Sequence, residues 1–413
     1  MKENNILVIG LVWPEPGSSA AGTRIIQLLQ VFLSAGANVT FACAASKGEF
    51  SYDLPSLGVT EQAIKLNDDG FDEFIKVLQP SLVLFDRFMV EEQYGWRVQQ
   101  ECPDALRMLD TEDLHCLRYA RQQAIKTART VTTADLFNEV AKREIAAILR
   151  CDLSLIISQA EMDILNQQFR IDPAILYYLP FLEEELSDQR VENWNSYENR
   201  EGFTFIGNYL HEPNWHTLQT LKTQVWPGLR AKVPGARLHI YGAYASQKVL
   251  QLHNEKERFY VHGRAANARE ALAKHRILLA PIRFGAGVKG KFIDAMQVGT
   301  PSVTTSIGAE AMKAELEWNG YIVDDITLFI EQAAALYQHK TQFLQAQQHG
   351  RQIINERYGK TKFIADFLKK IAELFANLTS HRQQNFYGQL LQHHTANSTK
   401  YMSLWIQEKN KPK

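Results

Sequence analysis

Cysteine is scarce and unpatterned. The four residues, Cys43, Cys102, Cys116 and Cys151, include no pair with the two-residue gap of a metal or redox site. That excludes a disulfide framework and a cysteine zinc site, and fits reduced thiols in a cytoplasmic protein. Net charge is also missing: 45 lysines and arginines stand against 46 aspartates and glutamates. No overall field draws the chain to nucleic acid or to an anionic membrane, so any anion site has to be local. Long apolar runs are absent too. The first, Ile6 to Trp13, follows a single lysine and is broken by Pro14 and Pro16. It is too short and too weakly basic for an export signal and reads as a buried strand. No stretch approaches the roughly 20 apolar residues of a membrane span. No short fixed-period repeat is visible, which excludes a solenoid.

What is present is alternation. A chain of 413 residues exceeds one ordinary core, so two domains are expected. "NILVIGLV" (Asn5–Val12) reads as a strand. "TRIIQLLQVFLSAG" (Thr23–Gly36) puts Ile25, Ile26, Leu28, Leu29, Phe32 and Leu33 on one helical face and stops at glycine. Strands at "NVTFACAA", "SLVLFDRF", "ALRMLDTED" and "CDLSLIISQ" continue the first set. A polar, aperiodic break follows at "EEELSDQRVENWNSYENREG". The alternation then restarts with "FTFIGN", a helix around Trp215–Leu229, "ARLHIYG", "RFYVHG", "RILLAPI", "PSVTTS" and "GYIV". Repeated strand–helix–strand order predicts an α/β protein with two Rossmann-like doubly wound domains. The boundaries read as 1–185, a linker at 186–202, a second domain at 203–350, helices at 351–380 and an extra tail at 381–413. Ligands of such sheets sit at the carboxyl ends of the strands, here in a cleft between domains. In the tail, Tyr401, Leu404 and Trp405 mark either an apolar face packed on the body or a partner-binding segment. Trp96, Trp215 and Trp226 fall inside apolar helical patterns and read as core.

One stretch stands out: "RFGAGVKGKFIDAMQVGTPSVTTSIGAE", Arg283 to Glu310. Gly285 and Gly287 permit a tight turn and close approach of backbone N–H groups to a ligand. The helix starting near Lys289 brings its positive dipole end to the same point, and Lys289 and Lys291 add full charges. Strand, glycine loop, lysines and helix together predict a diphosphate seat. Asp294, one turn after Lys291, is placed either to bind a ribose diol or to pair with that lysine on the helix surface.

On the first-domain side, the loop "WPEPGSSAAGTR" offers Gly17, Gly22 and Arg24 to the cleft. It reads equally as a helix start capped by Ser18, Ser19 or Thr23. "MLDTEDLHCLRYAR" crowds Asp110, Glu112, Asp113 and His115 after a strand. His115 has the titration range to handle a proton, and the same stretch also reads as a capped helix start with solvated acids. Asp86 and Arg87 stand at another strand end.

The segment from Pro281 to Glu310 resembles the donor-nucleotide segment of GT-B glycosyltransferases of the family-4 type. "FIGNYLHEPNWHTL" (Phe205–Leu218) is similar to the opening of that family's second domain, and Pro14–Ala44 is similar to its first loop and helix. The resemblance covers most of residues 1–375. It implies a GT-B fold and a retaining, metal-independent transferase needing no cofactor. It implies a nucleotide-diphosphate sugar as donor and leaves the acceptor open, a glycan or lipid-linked cell-surface precursor among the options, with room for peripheral membrane contact. Carried over by position, Gly207, Asn208, Arg283, Gly285, Gly287, Lys289, Lys291, Asp294 and Glu310 hold the donor. Asp110, His115 and Lys291 are the catalytic candidates, with Gly22 and Arg24 on the first-domain loop. One departure is clear: the family's first glutamate, eight residues before Asp294, falls on Ala286. The alternatives are a nucleotide-sugar epimerase of the same fold and a non-catalytic nucleotide-sugar-binding protein.

Overall fold

The computed structural model describes residues 4–393 together with Tyr401 and Trp405. The first sheet contains β1 (Asn5–Gly10), β2 (Asn38–Cys43), β3 (Thr60–Ala63), β4 (Leu82–Asp86), β5 (Leu106–Asp110), β6 (Leu153–Ile156) and β7 (Leu176–Tyr178). The second contains β8 (Phe203–Ile206), β9 (Leu238–Tyr241), β10 (Phe259–Gly263), β11 (Ile277–Ala280), β12 (Ser302–Thr304) and β13 (Gly320–Ile322). Their spatial orders are β3-β2-β1-β4-β5-β6-β7 and β10-β9-β8-β11-β12-β13. Every pairing is parallel.

Central strands covered on both faces must be apolar throughout, and they are. Leu7, Val8 and Ile9 of β1 and the whole of β11, Ile277 to Ala280, are fully buried. Each sheet reverses its winding once, between β1 and β4 and between β8 and β11. The loops that follow these four strands therefore open toward ligand, as doubly wound sheets require.

The chain crosses between the domains twice. The polar segment 186–202, read as a linker, is packed instead on the second domain. It carries a short helix, Asp188–Glu192. Arg200 is fully buried there, donating to Thr300 Oγ1 at 2.7 Å and to Val298 O at 2.6 Å. Its missing periodicity reflects a chain held by polar bonds.

The last crossing leads into the helix Lys360–Gln384, which is kinked at Asn377 (φ −124°) and returns to the first domain. Phe367 packs there between Phe32 and Tyr177, with ring centroids 6.3 and 5.6 Å away. This helix runs past 380. A further helix, Phe386–Gln392, lies on the helix Glu139–Arg150, with Asn385 Nδ2 donating to Leu149 O at 2.7 Å. Residues 381–392 are thus docked on the body. Tyr401 and Trp405 are exposed, and Leu404 lies outside the described residues. Of the tryptophans, Trp226 is core and Trp215 half-buried, but Trp96 is exposed. Its helix, Phe88–Glu101, turns Phe88, Val90, Tyr94 and Val98 inward instead.

Candidate active site

Between the carboxyl ends of the two sheets lies a cavity of about 700 Å³. Its second-domain wall is the glycine loop. Gly287 sits at φ +63°, and a Cβ there would come within 2.8 Å of Asp113 Cβ in the first domain. The helix Gly290–Gln297 begins directly after Lys289. Opposite, the helix Ala20–Ser34 begins at the same cavity, capped by Ser19 Oγ accepting from Gly22 N at 3.0 Å. The two helix starts nearly touch: a Cβ on Gly290 would lie 2.8 Å from Ala20 Cβ. Two positive dipole ends with their first-turn N–H groups therefore converge on one space.

Two lysines join them. Lys291 Nζ donates to Asn214 Oδ1 at 2.6 Å and stands 4.5 Å over the Phe205 ring. Burial, and then the charge of Lys289, pushes its ammonium down to about 7. Lys289 Nζ donates to Gly287 O at 2.8 Å, and burial pushes it down to about 8. Both shifts come first from burial, which disfavours an ammonium held away from water.

The first-domain wall is acidic. His115 Nε2 lies 3.2 Å from Asp113 Oδ1, with Phe88 edge-on to its ring. Burial opposes the Asp113 charge, but the Arg118 guanidinium and the bond from His115 outweigh it and hold its carboxyl well below the usual range. Glu112, at φ +62°, has the opposite fate. Burial, and then the Asp110 carboxylate, raises it well above the ordinary value. Its Oε1 is buried without a hydrogen-bond partner among the described residues.

Gly22, His115, Gly207, Asn208, Gly285, Gly287, Lys289, Lys291 and Asp294 all line the cavity. Others do not. Arg24 and Asp110 lie beneath its floor and bind each other, both Nε···Oδ distances being 2.9 Å at 1% and 0% exposure. Arg24 Nη1 also donates to Leu179 O at 2.9 Å. This is a buried brace between the first helix and β5, not a pair facing substrate. Arg283 is exposed and outside the cavity lining. Glu310 is engaged by Arg121 across the domain boundary, at 2.5 and 2.7 Å. Asp294 lines the cavity but binds Arg269 Nε at 2.8 Å rather than Lys291, and Arg269 Nη2 reaches Glu183 at 2.7 Å. Ala286 packs against the first-domain core.

Sequence reasoning missed Arg121, Glu161, Glu183 and Arg269, whose partners are all distant in the chain. A local signal existed only for Glu161, in "SQAE", which reads as a helix capping box and so as a purely structural motif. Among the described residues no group of three or more His, Cys, Asp or Glu side chains is arranged to hold a metal ion.

Comparison with known proteins agrees with this geometry. Residues 200–339 match the family described as glycosyl transferases group 1. No curated protein sequence matches the chain. Solved structures do. Sucrose-phosphate synthase of Thermosynechococcus elongatus superposes with a TM-score of 0.68 at 14% identity, covering 91% of this chain and 100% of its own. HepE of Anabaena, solved with UDP and glucose, gives 0.66 at 12% identity, covering 90% of this chain and 100% of its own. TarM of S. aureus, solved with fondaparinux, alpha-GlcNAc-glycerol and UDP, gives 0.66 at 11%, covering 91% of this chain and 100% of its own. The fold is that of the GT-B class of glycosyltransferases. Its second domain is a glycosyl transferases group 1 domain.

Proposed function

We propose that the protein moves a sugar from a nucleoside-diphosphate sugar to a hydroxyl acceptor, with retention of configuration and without a metal ion. The observation that carries this is the meeting of two helix N-termini, Ala20 and Gly290, with Lys289 and Lys291 at one cavity. Breaking the glycosidic bond releases a diphosphate and leaves positive charge on the anomeric carbon. Fixed N–H groups and lysines in a dry cleft stabilise that leaving anion without reorganising. Lys291 is the main charge and Lys289 its second. Asp294, held by Arg269, faces the ribose side. His115, oriented by Asp113, takes the proton of the acceptor hydroxyl.

UDP is the first nucleotide to try, since HepE and TarM are both described as complexes with it. The non-catalytic reading draws on Ala286, whose methyl lies against apolar first-domain residues where the family places a carboxylate. The test is release of UDP from UDP-glucose and related donors, with a panel of glycan and lipid-linked acceptors and with EDTA present. Acceptor-dependent UDP release in EDTA supports transfer. Nucleotide binding with no turnover on any acceptor favours the binding protein. Arrest by EDTA removes metal independence, and an inverted product anomer removes retention.

A further inference from the structure

Glu161, in the first turn of the helix Gln159–Gln167, is fully buried. One of its oxygens, Oε1, accepts two backbone bonds: from Leu114 N at 2.9 Å and from Gly287 N at 2.8 Å. These N–H groups belong to different domains. Leu114 ends the loop carrying Glu112 and Asp113 and precedes His115. Gly287 is the middle of the glycine loop. The two loops also touch directly, since the bare Cα of Gly287 lies against Asp113. Arg121 reinforces the same junction by donating to Gly285 O at 2.7 Å. The second Glu161 oxygen makes no hydrogen bond among the described residues. A carboxyl kept fully buried for two backbone donors fixes their relative position, because moving either loop leaves a buried polar group unpaired.

We infer that Glu161 is a positioning residue that couples the diphosphate loop of the second domain to the His115 loop of the first, so that filling the nucleotide seat orders the acceptor side. This rests on the reading of the glycine loop as that seat. It gives donor and acceptor sites one shared backbone anchor.

The test is amide hydrogen exchange by mass spectrometry on the full chain, with and without UDP, following peptides that contain Leu114 and Gly287. In the wild type, UDP slows both peptides. In Glu161→Asp, whose carboxyl is one methylene short, and in Glu161→Leu, UDP slows only the Gly287 peptide. Without UDP, both peptides of these variants exchange about 10-fold faster than in the wild type, as the loss of one hydrogen bond at each amide predicts. Glu161→Gln, which keeps an acceptor oxygen, restores the paired response. Paired protection persisting in Glu161→Asp and Glu161→Leu overturns the coupling. A uniform rise across the first domain, with the pairing intact, also overturns it, because that is what a merely structural residue would give. If UDP protects neither loop in the wild type, the nucleotide reading falls. The UDP-free comparison then still decides: both peptides accelerating together supports the coupling, and one alone sinks it.

Discussion

Arg121 of the first domain grips Glu310 of the second with both ends of its guanidinium, at 2.7 and 2.5 Å. The same Nη1 bonds Gly285 O at 2.7 Å, so one side chain ties the glycine loop and the residue after the short helix Ser306–Ala309 to the first domain. Charged hydrogen bonds of this kind contribute roughly 1.5–3 kcal/mol each. Arg121→Met is expected to weaken UDP binding about 10-fold by calorimetry, since closure must then be driven by the ligand alone. It should also raise the radius of gyration in solution scattering. A variant with unchanged affinity and radius would show that the contact does not hold the cleft.

The ammonium of Lys291, lowered to about 7 by burial and by Lys289, ties anion binding to protons. A bound diphosphate favours the charged lysine and raises this value. Above pH 7 Lys291 itself is mostly neutral without a ligand, so binding must take up a proton. UDP affinity should therefore fall as pH rises from 7 to 9, by up to about tenfold per unit. Calorimetry in two buffers of different ionisation enthalpy should show net proton uptake at pH 8. Lys291→Ala should reduce that uptake to the share of Lys289, lowered to about 8, and lower affinity. No uptake in the wild type would place Lys291 away from the diphosphate.

Glu161 gives stability its own pH signature. Burial raises its carboxyl from 4.5 to about 8. A raised acid contributes stability below its unfolded value and loses it as pH rises through the folded one. Wild-type stability should therefore fall relative to Glu161→Gln between pH 4.5 and 8, by at most about 4–5 kcal/mol. Urea midpoints of the two proteins across that range check the sign. Parallel curves would mean that Glu161 is not held neutral.

Asp110 and Arg24 form a fully buried pair. Removing one partner leaves an uncompensated charge, which costs about 3–5 kcal/mol. Asp110→Ala should therefore act on the urea midpoint of the first domain, while the folded fraction still binds UDP. A stable Asp110→Ala protein with normal binding but no turnover would return Asp110 to the catalytic set.

Much of this was legible in the chain because the signals were local. Apolar runs marked most of the strands, and the glycines and lysines of the glycine loop announced themselves by spacing. Short edge strands were not visible: β3, "TEQA", has no apolar run, and β7 has only three residues. The first-domain wall was legible as a loop but not residue by residue. Asp110 and Glu112 are two positions apart, yet one is the last residue of β5 beneath the floor and the other follows in the turn into the cavity. Which of them meets Arg24 is decided by the first helix, 86 residues away. The same distance hid Glu161 and Arg121. Hydrogen bonds between domains leave no periodic trace in either segment.

The two crossings of the chain lie side by side. Glu183 N donates to Tyr358 O and Lys360 N to Glu183 O, both at 2.8 Å, forming a small parallel bridge at Gly359. The two backbone crossings are thus clipped to each other at one point. Glu183 also holds Arg269, and through it Asp294 on the cavity wall. The crossing and this wall of the cavity are thus joined through side chains. Glu183, Arg269 and Asp294 run as one chain of ion pairs from the crossing to the cavity wall.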